Sequence, residues 1–543
     1  MVQNIEFRKI FKNAARAGRP YNCFGTWIAL LELDLRQPSA VPGIRAVTPG
    51  LRTARGDCRI SNSFRIGSNC RRKGGMSATQ RDLISDLRAY MSRSQQTLTR
   101  RISMNRRYIL PLAAVLFLAG PLYAELQNVE VGGSLRIRGN YYNLDSLGDL
   151  SYIEQRTRLS VKADFTDEVT AFVELDSFDL WGEDFRSDYL RGIDGRANSS
   201  DDVEIYQAYI EARNMWGTPI QLRVGRQELA FGSQWLVGVN DAASFYQGLS
   251  FDAIRLSWVD EAFRVDGFAA KLGETVTSDF GSDDLDFYGL YASVTAIEDH
   301  TFDAYWFYVR DDNFLTAFDV DLHTVGIRSA GVFGAFDYEV EGAYQFGDVD
   351  GLPSACPAGF GEADVKYDSF GVFAQAGYTF DITWKPRLFA RFSWLDGGDP
   401  DTSPWSNDRT LPFNRLFSNY EYTEFFANTD ESNFFYYGLG LDLAPTEAVT
   451  LQLVGGYFVA DERALVSSGL FGSRRADRNI GLELGLYGSY AYSEDLTFNA
   501  GYVHFFGNDG LADNRFIGNG LLAWNGSGDD DYDYLFIETQ ISF

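Results

Sequence analysis

Residues 128–142 read Asn128-Val129-Glu130-Val131-Gly132-Gly133-Ser134-Leu135-Arg136-Ile137-Arg138-Gly139-Asn140-Tyr141-Tyr142. Val129, Val131, Leu135, Ile137 and Tyr141 share one parity; Glu130, Ser134, Arg136, Arg138 and Asn140 share the other. Successive side chains of a strand point to opposite faces, so the stretch predicts a strand with one apolar and one polar face. The next segment repeats the pattern. Leu159, Val161, Ala163 and Phe165 alternate with Arg156, Arg158, Ser160, Lys162 and Asp164.

Working outward, the same period predicts strands at 128–142, 152–165, 169–178, 203–213, 220–227, 249–258, 263–271, 285–294, 301–310, 322–329, 336–347, 365–380, 387–395, 434–443, 449–459, 479–490, 496–506 and 532–543. That is about eighteen strands, an even number of the size bacterial outer-membrane barrels use. The connections alternate in length. Short ones fall at 166–168, 259–262, 444–448 and 491–495; long ones fall at 179–202, 228–248, 348–364, 396–433, 460–478 and 507–531. Short turns on one rim and long loops on the other are the plan of a transmembrane antiparallel β-barrel, turns toward the periplasm and loops outside the cell. Leu535, Ile537, Thr539 and Ile541 alternate up to a terminal Phe543, which resembles the last-strand signal read by the barrel assembly machinery. Tyr141, Tyr142, Trp258, Trp306, Tyr378, Trp394, Tyr457 and Tyr490 fall near strand ends, where amphipathic rings form interfacial girdles.

Composition supports an all-β membrane protein. Aromatics make up 15% of the chain and Gly reaches 53 against 14 Pro, a balance that suits strands and close strand approach. A mean hydropathy of −0.21 is too polar for a bundle of membrane helices, yet fits a barrel in which every second strand residue meets lipid. Residues 1–124 carry 21 Lys or Arg against 6 Asp or Glu, leaving 27 basic and 69 acidic residues, a net charge of −42, in the rest. That deficit excludes nucleic acid as a partner, since phosphate neutralisation needs a basic surface.

Residues 104–124 hold a basic start (Arg106, Arg107), an apolar run from Ile109 to Ala119 and a small residue, Ala124, at the end. These are the parts of a secretory signal peptide, and they predict export to a Gram-negative outer membrane. The Arg-rich residues 1–103 precede it and are expected to be a disordered basic leader or the product of an upstream start codon. The barrel is expected at 125–543. Cys23, Cys58 and Cys70 precede it, and Cys356 stands alone within it, so neither an internal disulfide nor a Cys-based metal site is expected there. Outer-membrane lipid and lipopolysaccharide are the expected surroundings.

The polar strand faces should line the lumen. Basic candidates are Arg136, Arg138, Arg156, Arg158, Lys162, Arg223, Arg255, Arg328, Arg387 and Arg391; acidic ones are Glu174, Asp176, Glu211, Asp337, Glu339, Glu341 and Glu483. Two readings stay open at each position. A cluster of arginines across neighbouring strands would attract anions, or lumen Arg and Glu simply pair across strands. Basic residues crowd the first two strands and acids the third and eleventh, so charges opposed across the barrel are a further expectation.

One stretch carries a family resemblance. Leu222-Arg223-Val224-Gly225-Arg226-Gln227-Glu228-Leu229, then Gln234-Trp235, then Phe251-Asp252-Ala253-Ile254-Arg255-Leu256, is similar to the alginate export family of outer-membrane barrels. The resemblance extends over most of 128–543. It implies an eighteen-stranded barrel with an Arg-rich pore that passes an anionic polysaccharide by diffusion. It also implies Arg226 as the foremost pore residue, with Arg223 and Arg255 beside it, and Gly225 as a place of close backbone approach.

The leading expectation is therefore a passive channel for a polysaccharide or other anionic solute, with no enzyme activity, cofactor or metal. A porin for small solutes is the alternative. A barrel enzyme would need a nucleophile beside a base, and His300, His323 and His504 fall in no such motif. An adhesin or filled barrel is the third reading, with the aromatic loop 396–433 able to fold inward as a constriction.

Overall fold

In the computed structural model, residues 126–144, 148–182, 187–188, 193–194, 203–241, 248–273, 283–313, 318–350, 364–399, 408–425, 432–463, 465–467, 473–513 and 531–543 are described. The leader, the signal segment and Cys356 lie outside them. The barrel strands are β1 (Asn128–Asn143), β2 (Asp149–Thr166), β3 (Val169–Leu180), β4 (Glu204–Ala212), β5 (Ile220–Gln227), β6 (Phe251–Val259), β7 (Phe263–Gly273), β8 (Asp283–Val294), β9 (His300–Asn313), β10 (Phe318–Phe333), β11 (Phe336–Asp350), β12 (Asp364–Thr379), β13 (Arg387–Leu395), β14 (Phe434–Thr446), β15 (Val449–Ala460), β16 (Asn479–Ala491), β17 (Leu496–Gly507) and β18 (Tyr532–Ser542).

Each strand pairs antiparallel with its sequence neighbour, and β1 closes on β18 with Ser134–Asn143 running against Ser542–Asp533. The result is a closed barrel of 18 strands. Closure is what a bilayer demands: an unpaired sheet edge would leave backbone N–H and C=O groups in hydrocarbon, at several kcal/mol each. The alternation sets the two faces. Val131, Leu159, Ile210, Ile254, Leu290, Ile327, Leu439, Leu486 and Ile537 stand exposed on the outer wall. A continuous apolar wall of this kind suits lipid and would be an aggregation site in water. Trp258, Trp306, Tyr378, Tyr457 and Tyr490 are exposed with it, as girdle residues should be. Tyr142 departs from that expectation: it follows Tyr141 by one residue, turns inward and stacks on Tyr534 at 4.3 Å.

Turns at 167–168, 334–335 and 447–448 lie on one rim with both barrel ends; the long connections lie on the other. Two connections on the loop rim, 144–148 and 314–317, are as short as turns. A short strand, Asp408–Leu411, adds to the sheet by running parallel to the start of β12.

Candidate functional site: the barrel lumen

On the turn side of the lumen the wall is charged. The inward parity of β1 and β2 places Arg136, Arg138, Arg156 and Arg158 in a ladder, all nearly buried. Glu538 of β18 accepts from Arg136 Nε and Arg138 Nε, each at 2.8 Å, and from Asn499 at 2.9 Å. Asp176 on β3 lies 3.4 Å from Arg158, and Glu174 accepts from Gln207 at 2.8 Å. Arg158 also stacks over the Tyr206 ring at 3.8 Å. Nearer the rim, Lys162 sits between Glu130 and Asp164 at 3.2 and 3.3 Å. The acids of β3 are thus neighbours of the ladder, while β11, nine strands on in a ring of 18, faces it from across the barrel.

The next quarter of the wall has an excess of cations. Arg213 and Arg223 share Glu211, and Arg255 and Arg264 share Asp266: four guanidiniums on two carboxylates among the described residues. Arg223 stacks over Tyr209 at 4.3 Å, and Tyr209 stacks on Phe172 at 5.2 Å. Beyond it the balance reverses. Arg328 is held by Asp303 at 2.7 Å and Glu339 at 2.6 Å, with Glu341 at 3.9 Å. Arg387 bridges Asp337 and Asp442 at 2.6 and 3.0 Å. Arg391 donates to the neutral Gln375 at 2.7 Å and stacks over Phe389 at 4.7 Å. The cross-strand pairing reading therefore describes most lumen arginines, with the β4–β7 quarter as the cationic exception.

Arg226 lies elsewhere. It stands three residues from Arg223, so period two puts the two on opposite faces, and Arg226 points to the outer wall. There it pairs with outward-facing Asp252 at 2.8 and 2.9 Å and donates to Ile205 O at 3.1 Å. Gly225 beside it has φ 126°. A Cβ at that position would run into the Ala208 carbonyl oxygen, so the close approach expected of this glycine is present.

The loop side of the lumen is filled. Phe231, Trp235, Leu236 and Val237, from the β5–β6 connection, are almost fully buried, as are Phe413, Arg415 and Tyr422 from the β13–β14 connection. Both segments fold into the barrel and pair there. Val237 bridges to Phe417 in parallel; Phe417 N donates to Leu236 O at 2.8 Å and Asn419 N to Gln234 O at 2.9 Å. Trp235 stacks on Phe413 at 5.7 Å and its Nε1 donates to Tyr422 Oη at 2.9 Å. Inward rings of the wall (Phe251, Phe287, Phe307, Phe373, Phe434 and Phe505 among them) close around the pair. The expected infolding of 396–433 is present in its residues 412–425. The partner loop at 228–241, which the sequence reading gives only as a long connection, carries in Leu229, Phe231, Trp235, Leu236 and Val237 the signal that it is not solvated.

Below these loops lies a cavity of about 650 Å³, bordered by Arg136, Arg138, Arg156, Asp241, Gln452, Asn499 and Glu538. The histidines take no part: His504 pairs with Asp533 at 2.7 Å on the outer wall, His323 packs between Tyr308 and Phe346 there, and His300 lies at a turn. Among the described residues, no three His, Cys, Asp or Glu side chains are grouped to hold a metal.

A closed barrel with a lipid-facing wall, a charged lumen and infolded loops defines an outer-membrane channel. The alginate export family matches residues 127–514, and the chain belongs to that family. Solved structures of similar architecture include OccK8 (OprE) of Pseudomonas aeruginosa, at 13% identity and a TM-score of 0.45 over 76% of this chain and 98% of that one. OccAB3 of Acinetobacter baumannii is 12% identical with a TM-score of 0.46, over 76% and 100%. The outer membrane protein opdK of Pseudomonas aeruginosa is 11% identical with a TM-score of 0.45, over 76% and 99%. No curated protein matches the chain.

Proposed function

We propose that this barrel is a passive channel for an anionic solute, an acidic polysaccharide of the kind its family name implies, and that it carries no catalysis. The observation that carries the reading is the β4–β7 quarter of the turn-side lumen, where, among the described residues, Arg213, Arg223, Arg255 and Arg264 share two carboxylates, Glu211 and Asp266. A charged cleft with low-dielectric walls concentrates ions of the opposite sign. The overall acidity of the chain does not oppose this, because part of it sits in exposed turns outside the lumen, as at Asp260-Glu261, Glu298-Asp299 and Glu494-Asp495, and exposed charges beyond a Debye length are screened. The stacked Phe172 and Tyr209 rings beside Arg223 give a sugar face an apolar platform.

One observation favours a second reading. The two infolded loops occupy the loop-side lumen, which suits small anions better than a polymer unless the loops move. Reconstitution in planar bilayers under a KCl gradient tests the first reading, and a preference for chloride is expected. A correctly folded barrel that prefers potassium refutes it. Block of the chloride current by an acidic oligosaccharide, but not by a neutral one of equal length, separates polymer from small-anion transport.

A further inference from the structure

We propose that Asp241 of the infolded loop occupies the β1–β2 arginine ladder in the resting channel as a tethered competitor of the solute's carboxylate. The proposal rests on the anion-channel reading above and adds how a solute's arrival is coupled to the constriction.

The geometry points to Asp241 because of where its backbone lies. Of the other carboxylates near the ladder, Glu538, Glu154, Glu174 and Asp176 belong to wall strands, Glu228 follows β5 directly, and Glu424 of the second infolded loop lies near Arg138. Asp241 belongs to the connection that closes the lumen. Its Oδ1 accepts from Arg156 Nη1 and lies 3.9 Å from Arg136 Nη1, and its Oδ2 lies 4.0 Å from Arg158 Nη1. The three guanidiniums are 3–8% exposed, while Asp241 is 35% exposed and borders the open cavity. Withdrawing Asp241 takes one carboxylate away from guanidiniums held far from water, a loss that another carboxylate in its place offsets. Gln452, Asn499 and Tyr487 border the same cavity and bring hydrogen-bonding groups to it.

Displacement has a mechanical consequence. Asp241 follows Leu236 and Val237, whose backbone pairs with Phe417, and Asn240 O and Val239 O accept from Gly248 and Leu249 at 2.9 and 2.6 Å. The ladder contact therefore pins the loop that holds the second loop down. A carboxylate binds the ladder only in the state where Asp241 has left, and a ligand that prefers one state shifts the population toward it. Neutral sugars lack that preference.

The test uses the full barrel in planar bilayers, with sodium glucuronate and glucose as probes at equal concentration. In the wild type, glucuronate is expected to raise the open fraction roughly tenfold, within the usual range of coupling between competing ligands, and glucose to leave it unchanged. Asp241→Asn should be open without glucuronate and gain nothing from it, and Asp241→Glu should restore the wild-type response. Arg156→Gln is the second variant, expected to be open and unresponsive too, and heat-modifiable gel mobility confirms that each barrel is folded. An Asp241→Asn channel that rests and responds like the wild type overturns the proposal while leaving anion preference intact. A wild type that prefers cations overturns the anion-channel reading itself, so the two failures are distinguishable.

Discussion

The two halves of the lumen are built by the same strands and have opposite chemistry. β18 contributes Tyr532, Tyr534 and Phe536 toward the loop rim, then Glu538 toward the turn rim. β7 runs the other way, with Arg264 and Asp266 followed by Phe268 and Ala270, and β9 places Asp303 below Tyr305 and Phe307. Inward parity alone therefore does not make a residue part of a polar pore. Depth along the strand decides. The loop-side rings serve as a hydrophobic core for two infolded loops, and the turn-side charges face a cavity. The loop-side half behaves as a folded domain in miniature, and the turn-side half as a solvated electrostatic surface.

The most disruptive way to break this contrast is to hollow out the loop-side core. Trp235→Ala removes a fully buried ring and its bond to Tyr422, and large-to-small changes of this kind cost about 3–5 kcal/mol. Here the loss falls on loop seating rather than on the barrel. Resting conductance should rise well above the wild type while heat-modifiable mobility is unchanged.

The complementary change reverses the turn-side half. Arg223→Glu with Arg264→Glu leaves two arginines against four carboxylates in the β4–β7 quarter. The chloride-to-potassium permeability ratio, read from reversal potentials, should fall about tenfold, the low end of what charge focusing in a cleft supplies.

A third change couples the halves through Glu424, on the infolded loop, which accepts from Tyr487 at 3.1 Å. Burial, and after it the neighbouring Glu421, pushes its carboxyl up to about 8. The seated loop thus holds a proton that a released, solvated loop gives up near the ordinary carboxylate range. Seating is fully favoured below that ordinary range, weakens as pH rises and has lost this contribution once pH passes about 8. Resting conductance should climb between the ordinary carboxylate range and pH about 8 and level off above it, and Glu424→Gln should flatten the profile.

The smallest effect belongs to Arg226→Ala. It breaks an exposed outer-wall pair with Asp252, and exposed pairs are worth about 1 kcal/mol or less. Ion selectivity should not move. A selectivity shift equal to that of the Arg223 and Arg264 pair would place Arg226 in the pore after all.

The contrast also explains what could be read from the chain in advance. Strands were legible wherever one parity meets lipid, as in β1, predicted to end at residue 142 and observed to end at Asn143. The prediction stopped short where acids interrupt the pattern. β9 was expected to end at 310 and β10 to begin at 322, yet their ladder continues past Asp311 and Asp312 on one strand and Asp319 and Asp321 on the other. Backbone pairing there rises above the apolar belt, where side-chain hydropathy no longer reports it. The lumen arginines followed from parity, and so should the outward Arg226 have done, an odd number of residues from Arg223. Their partners did not follow. Sharing of Glu211 by Arg213 and Arg223, or the reach of Glu538 from the last strand to Arg136 on the first, depends on register and closure, which no local pattern encodes.

A disulfide across the two loops tests the central claim most directly. Val237 and Phe417 are bridge partners, and adjacent strands lie about 4.8 Å apart, within reach of a disulfide. With Cys356→Ser as background, Val237→Cys and Phe417→Cys should give a channel whose current falls to the bare-bilayer background when oxidised and returns when reduced. An oxidised, cross-linked barrel that conducts as well as the reduced one would show that solutes bypass these loops, and the closed loop-side half would no longer be the gate.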